Sequence, residues 1–159
     1  MRKDLFIDNN IAKNFSNPQD KEYIKLTEWL REFDSADIEN KDNYAHLVVS
    51  KKLLVEYYRT SMGAVSDTAI PAIIDKLTRE DRLIIISNQQ ISNFKLAYYS
   101  RRIERSLRSN NEDREHIPLV FLSDRKFALS YDDNFIYDLE HFAGFVVRVE
   151  KRPENLPYE

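Results

Sequence analysis

Three carboxylates lie at or just beyond the ends of short apolar runs, where an α/β sheet delivers side chains to a common rim. Leu5-Phe6-Ile7 stops on Asp8, followed by Asn9 and Asn10. Leu47-Val48-Val49 stops on Ser50, with Glu56 in the helix predicted to follow, and Pro118-Leu119-Val120-Phe121-Leu122-Ser123 stops on Asp124. Carboxylates gathered at one rim repel each other unless positive charge sits among them, and a hard divalent cation is the natural choice. Each acid also has a plainer reading. Asp8 and Asp124 are good helix caps. Glu56 shares a predicted helical face with Lys52 and Arg59, as a solvated residue would. Asn9 and Asn10 favour a functional Asp8, because amides hydrogen-bond carboxylates and hold their rotamers.

The elements that must position these acids alternate in type. Continuous runs rich in Val, Ile, Leu and Phe predict strands over Leu5–Asp8, Ala45–Ser50, Arg82–Ser87, Leu119–Ser123 and Phe145–Val149. Between them lie helical patterns. One starts at Asn17-Pro18 and carries Tyr23, Leu26, Leu30 and Phe33; one spans Lys51 to Arg59; one carries Ile70, Ile73, Ile74 and Leu77; a long one spans Ile91 to Arg108. Strand–helix alternation of this kind means βαβ units. The expected fold is therefore an α/β, three-layer α/β/α sandwich with a five-stranded, mainly parallel sheet and the Asp8 strand at its centre. Ser109–Asp113 reads as an exposed loop, and the segment from Lys151 to Pro157 as extended and loosely held.

Composition narrows the chemistry. A chain of 159 residues fits one domain, 1–159, and 42% hydrophobic against 32% charged residues excludes a disordered one. With Gly63 and Gly144 as its only glycines, it has no Gly-rich phosphate loop or dinucleotide turn. The absence of Cys removes disulfides, thiolate metal sites and thiol nucleophiles. No signal-peptide core and no membrane-length apolar stretch is present, so a cytoplasmic location is expected. A net charge of −3 provides no global field for nucleic acid. Tyr98-Tyr99 beside Arg101-Arg102 is the one aromatic–basic cluster suited to stacking single-stranded RNA, against the plainer reading of a core-facing Tyr98 with a solvated basic flank. Of the three histidines, His46 reads as core, and His116 and His141 as surface.

In order along the chain, Phe6-Ile7-Asp8-Asn9-Asn10, Val48-Val49-Ser50 through Glu56-Tyr57, Asp124-Arg125-Lys126-Phe127 and Gly144-Phe145-Val146-Val147 are similar to the motifs of the PIN-domain family of metal-dependent nucleases. The resemblance implies Asp8, Glu56 and Asp124 as ligands of Mg²⁺ or Mn²⁺. It implies Asn9, Asn10 and Ser123 as supporting residues and phosphodiester hydrolysis without a protein nucleophile. The partners it implies are an RNA substrate, an antitoxin protein if the chain is a toxin, and a second copy of the chain, with no membrane. Asn9 stands where Thr is usual, Leu122 stands where Thr often precedes the last Asp, and the family's D-A-x-x-A-A segment is missing. Glu104 is the acid nearest the place of that segment, with Asp132 and Asp133 as substitutes.

The expected function is a metal-dependent endoribonuclease acting on single-stranded RNA, of toxin type. The alternative is a catalytically degenerate PIN-like module that binds nucleic acid or protein. A phosphatase or receiver-type domain fits poorly, because Asp8-Asn9-Asn10 lacks a second aspartate and no suitable Lys ends a late strand.

Overall fold

The computed structural model describes residues 1–159. Strand β1 (Lys3–Ile7) leads through helices α1 (Asn9–Ala12) and α2 (Lys21–Arg31) to β2 (Ala45–Val49). Helices α3 (Lys51–Thr60) and α4 (Ile70–Arg79) lead on to β3 (Leu83–Ile85). Next come α5 (Asn88–Tyr98), α6 (Arg101–Ser106), α7 (Asn111–Arg114) and α8 (Ile117–Phe121) before β4 (Phe127–Leu129). Helix α9 (Asp133–Glu140) then precedes β5 (Arg148–Glu150). The sheet has five strands in the order β3-β2-β1-β4-β5, and every pairing is parallel. The Asp8 strand is at the centre, as its uninterrupted apolar sequence requires.

Crossovers between parallel strands are right-handed, so the direction of travel across the sheet decides which face each helix covers. The chain moves one way from β1 to β3 and the other way from β4 to β5. Helices α1 to α4 therefore cover one face and the later helices the other. Packing agrees: α2 and α3 lie against α4, whereas α5 and α7 lie against α8. Phe6 marks the second face, with its ring 5.7 Å from that of Phe135 and 6.0 Å from that of His116. Leu5, Phe6, Ile7, Leu47, Val48 and Val49 are all fully buried.

Several expected boundaries differ. The run expected as the fourth strand, Leu119–Ser123, is helix α8 and the turn after it. Pro118 lies in its first turn, and Ile117 to Phe121 are all buried. A short helix buried on every side shows no period, which is why it resembles a strand in sequence. The true fourth strand, Phe127–Leu129, starts four residues beyond Ser123. The long helix expected over Ile91–Arg108 is two helices. Tyr99 leaves helical geometry (φ −87°, ψ 70°), and Ser100 caps α6 through the amide of Ile103. Helix α2 starts at Lys21 under an Asp20 cap instead of at Asn17-Pro18. The last strand runs over Arg148–Glu150, displaced toward the carboxyl terminus from Phe145–Val149. The terminal segment is held firmly: Leu156 and Tyr158 are buried, Trp29 packs 4.8 Å from the Tyr158 ring, and Arg125 donates to the Tyr158 carbonyl at 2.9 Å. No helix is long and apolar enough to cross a membrane.

Asp4, fully buried on β1, fixes the entry to β4 by accepting from the amides of Asp124 at 2.7 Å and Arg125 at 3.0 Å. Asp4→Ala strands both donors, at about 1–3 kcal/mol for an unsatisfied buried group. Thermal denaturation should show Tm lower by roughly 2–12 °C, at about 2–4 °C per kcal/mol for a chain of this size. Asp124→Ala, which removes a half-exposed side chain and leaves those amide bonds intact, should not move it.

Candidate active site

The connections from β1 and β4 leave these neighbouring strands toward opposite faces of the sheet, so a crevice opens between their carboxyl ends. Ligands of open α/β sheets bind at such a switch point. Asp8 is the first residue beyond β1, and its amide donates to the Leu129 carbonyl at 2.9 Å. Ser130 is the first residue beyond β4, and its hydroxyl donates to Asp8 Oδ2 at 2.7 Å. The Asn10 amide donates to the same oxygen at 3.3 Å. Although Asp8 holds the N-cap position of α1, its side chain makes no capping bond. The carboxylate faces the crevice instead.

Ser50 caps α3 by accepting from the Leu53 amide at 3.1 Å, which fixes the helix's rotation above the end of β2. That rotation buries Leu53 and Tyr57, and Tyr57 Oη donates to the Ile7 carbonyl, tying α3 to β1. Glu56 consequently faces the Asp8 rim instead of bulk water. Both its carboxylate oxygens lie 3.1 Å from His116 Nε2. Thr60 on the same helix donates to Asn9 Oδ1 at 2.9 Å.

Three further acids line the rim: Asp113, Asp132 and the exposed Glu112. Asp132 caps α9, its Oδ1 accepting from the amides of Asn134 at 2.9 Å and Phe135 at 3.1 Å. Asp113 ends the first turn of α7, where Asn110 Oδ1 accepts from its amide at 2.8 Å. Asp8, Glu56, Asp113 and Asp132 line one open cleft of about 410 Å³, with Lys52 and Arg59 on its wall. No three acidic or histidine side chains stand closed around a single point as a preformed metal cage.

The electrostatics follow from this crowding. Burial raises the Asp8 carboxyl above its ordinary value; the Ser130 hydrogen bond opposes that rise and the Glu56 charge adds to it. Burial also raises Asp113, and the Asp8 and Asp132 carboxylates push it further, to about 6. Desolvation and like charge both disfavour ionisation here. The result is a rim that resists carrying its full negative charge alone.

The structure separates the expected site residues into those at the rim and those elsewhere. Asp8, Glu56, Asn9 and Asn10 are at the rim, and so is the substitute Asp132. Asp124 lies at the other end of the sheet, before β4, where it pairs with Arg2 at 3.5 Å. Its placement was tied to the misread strand, so moving that strand moved the acid from the carboxyl end to the amino end. Ser123 is buried beneath α8, donating to the Val120 carbonyl, and Ser130 is the serine beside Asp8. Glu104 is exposed on α6. Asp133 is solvent-exposed and pairs with Lys151 at 2.6 Å. Tyr98 packs against Phe94 and Phe145 at 4.7 and 5.0 Å, and Tyr99 donates to the Arg114 carbonyl, while Arg101 and Arg102 are exposed. Tyr98 does not face the core: it is 47% exposed beside the solvated basic flank.

Asp113 and His116 were missed. The segment expected as an exposed loop holds the Asn110 cap and the start of α7, and His116, expected at the surface, is 1% exposed. The available signal was Asn110 three residues before an acid, ahead of an apolar run opened by Pro118.

No known family profile matches the sequence, and no curated protein matches it. Among solved structures, the chain is similar to the crystal structure of VapBC2 from Rickettsia felis bound to a DNA fragment from their promoter. The TM-score is 0.56 at 14% identity, over 94% of this chain and 98% of that one. At that identity the likeness is one of fold, and the chain has a PIN-like three-layer α/β/α fold.

Proposed function

We propose that the chain is a metal-dependent endoribonuclease that hydrolyses phosphodiester bonds of single-stranded RNA. The observation that carries this reading is the meeting of Asp8, Glu56, Asp113 and Asp132 in one cleft at the switch point of the sheet. The donors are oxygen atoms throughout, and they are not closed around one point. Oxygen donors as a class suit Mg²⁺ or Mn²⁺, hard cations that keep several waters of their own. These four acids would hold the ion, which when bound supplies an activated water and offsets charge on the phosphodiester.

The chain's own side chains supply the rest. Ser130 and Asn10 fix the Asp8 rotamer. Lys52 and Arg59 offer cations to phosphates beside the scissile one. Asp113, poised near pH 6, gives up its proton when positive charge arrives. The same reading carries a toxin-type role with an antitoxin protein as partner, and a cytoplasmic location. It is supported by the motif resemblance to PIN-domain nucleases and by the fold shared with VapBC2.

Purified chain incubated with end-labelled single-stranded RNA should cut it in Mn²⁺ or Mg²⁺ and stop on addition of a chelator. Asp124→Ala should cut at the wild-type rate, because Asp124 is at the opposite end of β4. Absence of both cleavage and Mn²⁺-linked stabilisation in the wild type would leave the degenerate binding module as the better reading. That alternative rests on the missing D-A-x-x-A-A segment together with the acidic net charge.

A further inference from the structure

Glu56 has a longer and less constrained side chain than the aspartates of the rim. It has several free rotamers, so an ion that needs it must also order it. Its side chain is about one quarter exposed. Nothing on its own helix holds it, and the group that does comes from the opposite layer of the sandwich.

His116 sits between α7 and α8, its amide bonded to the Asp113 carbonyl at 2.9 Å and its ring against Phe6. Its Nε2 lies 3.1 Å from each Glu56 oxygen. Two carboxylate oxygens only accept, so the proton is on Nε2, and the imidazole donates to the carboxylate. The other ring nitrogen, Nδ1, is buried with no partner. The bond to Glu56 is therefore the ring's only polar contact. A polar ring buried with one nitrogen unsatisfied is a costly way to fill space, and an apolar side chain would do so more cheaply. The imidazole earns its place through Glu56.

We propose that His116 is a positioning residue, which holds the Glu56 carboxylate in the orientation that receives the divalent cation; this rests on the metal-dependent reading above. It acts from outside the ligand set, as groups that orient ligating side chains do, where removal costs about 10–100-fold in metal affinity. Because His116 follows Asp113 on the same short segment, the bond also ties the α7 side of the cleft to α3. One contact thereby sets the spacing of two acids contributed from opposite faces of the sheet.

The test is Mn²⁺ titration by calorimetry on the full chain, comparing wild type, His116→Leu and His116→Gln, with apo Tm measured alongside. His116→Leu should bind Mn²⁺ about 10–100-fold more weakly. Its apo Tm should match or exceed that of the wild type, since an apolar side chain replaces a half-satisfied ring. His116→Gln, whose amide places a donor near the position of Nε2, should recover most of the affinity. Wild-type affinity in His116→Leu would overturn the proposal, as would equal losses in both variants, which would mark a packing role alone. A wild type that itself takes no Mn²⁺ would overturn the metal reading and this proposal with it, an outcome distinct from a wild type that binds beside a Leu variant that binds equally.

Discussion

Asp8→Asn should abolish RNA cleavage while leaving the apo protein as stable as the wild type or more so. The two effects have one cause. Asp8 is held in place by Ser130 and Asn10, and burial raises its carboxyl above the ordinary value. A carboxyl raised in the folded state contributes stability below its unfolded pKa and loses it as pH rises through the folded value. At neutral pH its ionisation therefore works against folding. The neutral amide removes that cost and the repulsion from Glu56, and its oxygen still accepts from Ser130. Deleting a charged ligand of the proposed cation, however, should remove several kcal/mol of stabilisation from the bound state. Cleavage should fall at least about 10³-fold, equivalent to roughly 4 kcal/mol. The Mn²⁺-induced rise in Tm should shrink with it. A marked fall in apo Tm would instead assign Asp8 a structural role, against the absence of any side-chain capping bond at α1.

What the sequence disclosed and concealed follows from how each element is stabilised. Strands β1 and β2 are buried on both faces, so their continuous apolar runs identify them directly. Helix α3 has a Ser cap and an amphipathic face, so both its start and the side carrying Glu56 could be read. Helix α8 is buried all round, and β4 is only three residues long; neither carries a period. One misassignment there carried Asp124 to the wrong end of the sheet and hid Ser130. Asp113 was concealed for a different reason. A cleft-lining acid in a segment rich in Asn, Glu and Asp has the composition of a solvated loop, and only the packing of α7 against α8 distinguishes them. His116 was lost the same way, since a charged neighbour in sequence says nothing of which side of a short helix a ring occupies.

Asp113 should govern how both stability and metal binding depend on pH. Its carboxyl is raised to about 6 by burial and by the Asp8 and Asp132 carboxylates. A raised acid stabilises the fold below the ordinary carboxylate range, and that contribution disappears as pH rises through about 6. In a dry site the displacement would be worth about 3 kcal/mol; Asp113 is only partly buried, and solvent screening reduces this to roughly 1 kcal/mol. Asp113→Asn should therefore melt about 2–4 °C above the wild type at pH 7.5, with the difference closing toward pH 4. Comparing the two chains at each pH cancels groups such as Asp20 and Glu80, whose carboxyls are held low by their partners and act in the opposite direction. Mn²⁺ should reverse the ranking. The wild type should bind it more tightly as pH rises from 5 to 7, with proton release that Asp113→Asn lacks. The variant should also cut RNA about 10²–10³-fold more slowly, in the range expected for losing one preorganised charge-stabilising group. A melting difference that stays flat from pH 4 to 7.5 would show that Asp113 titrates like a solvated carboxyl, and the acid cluster would lose its third member.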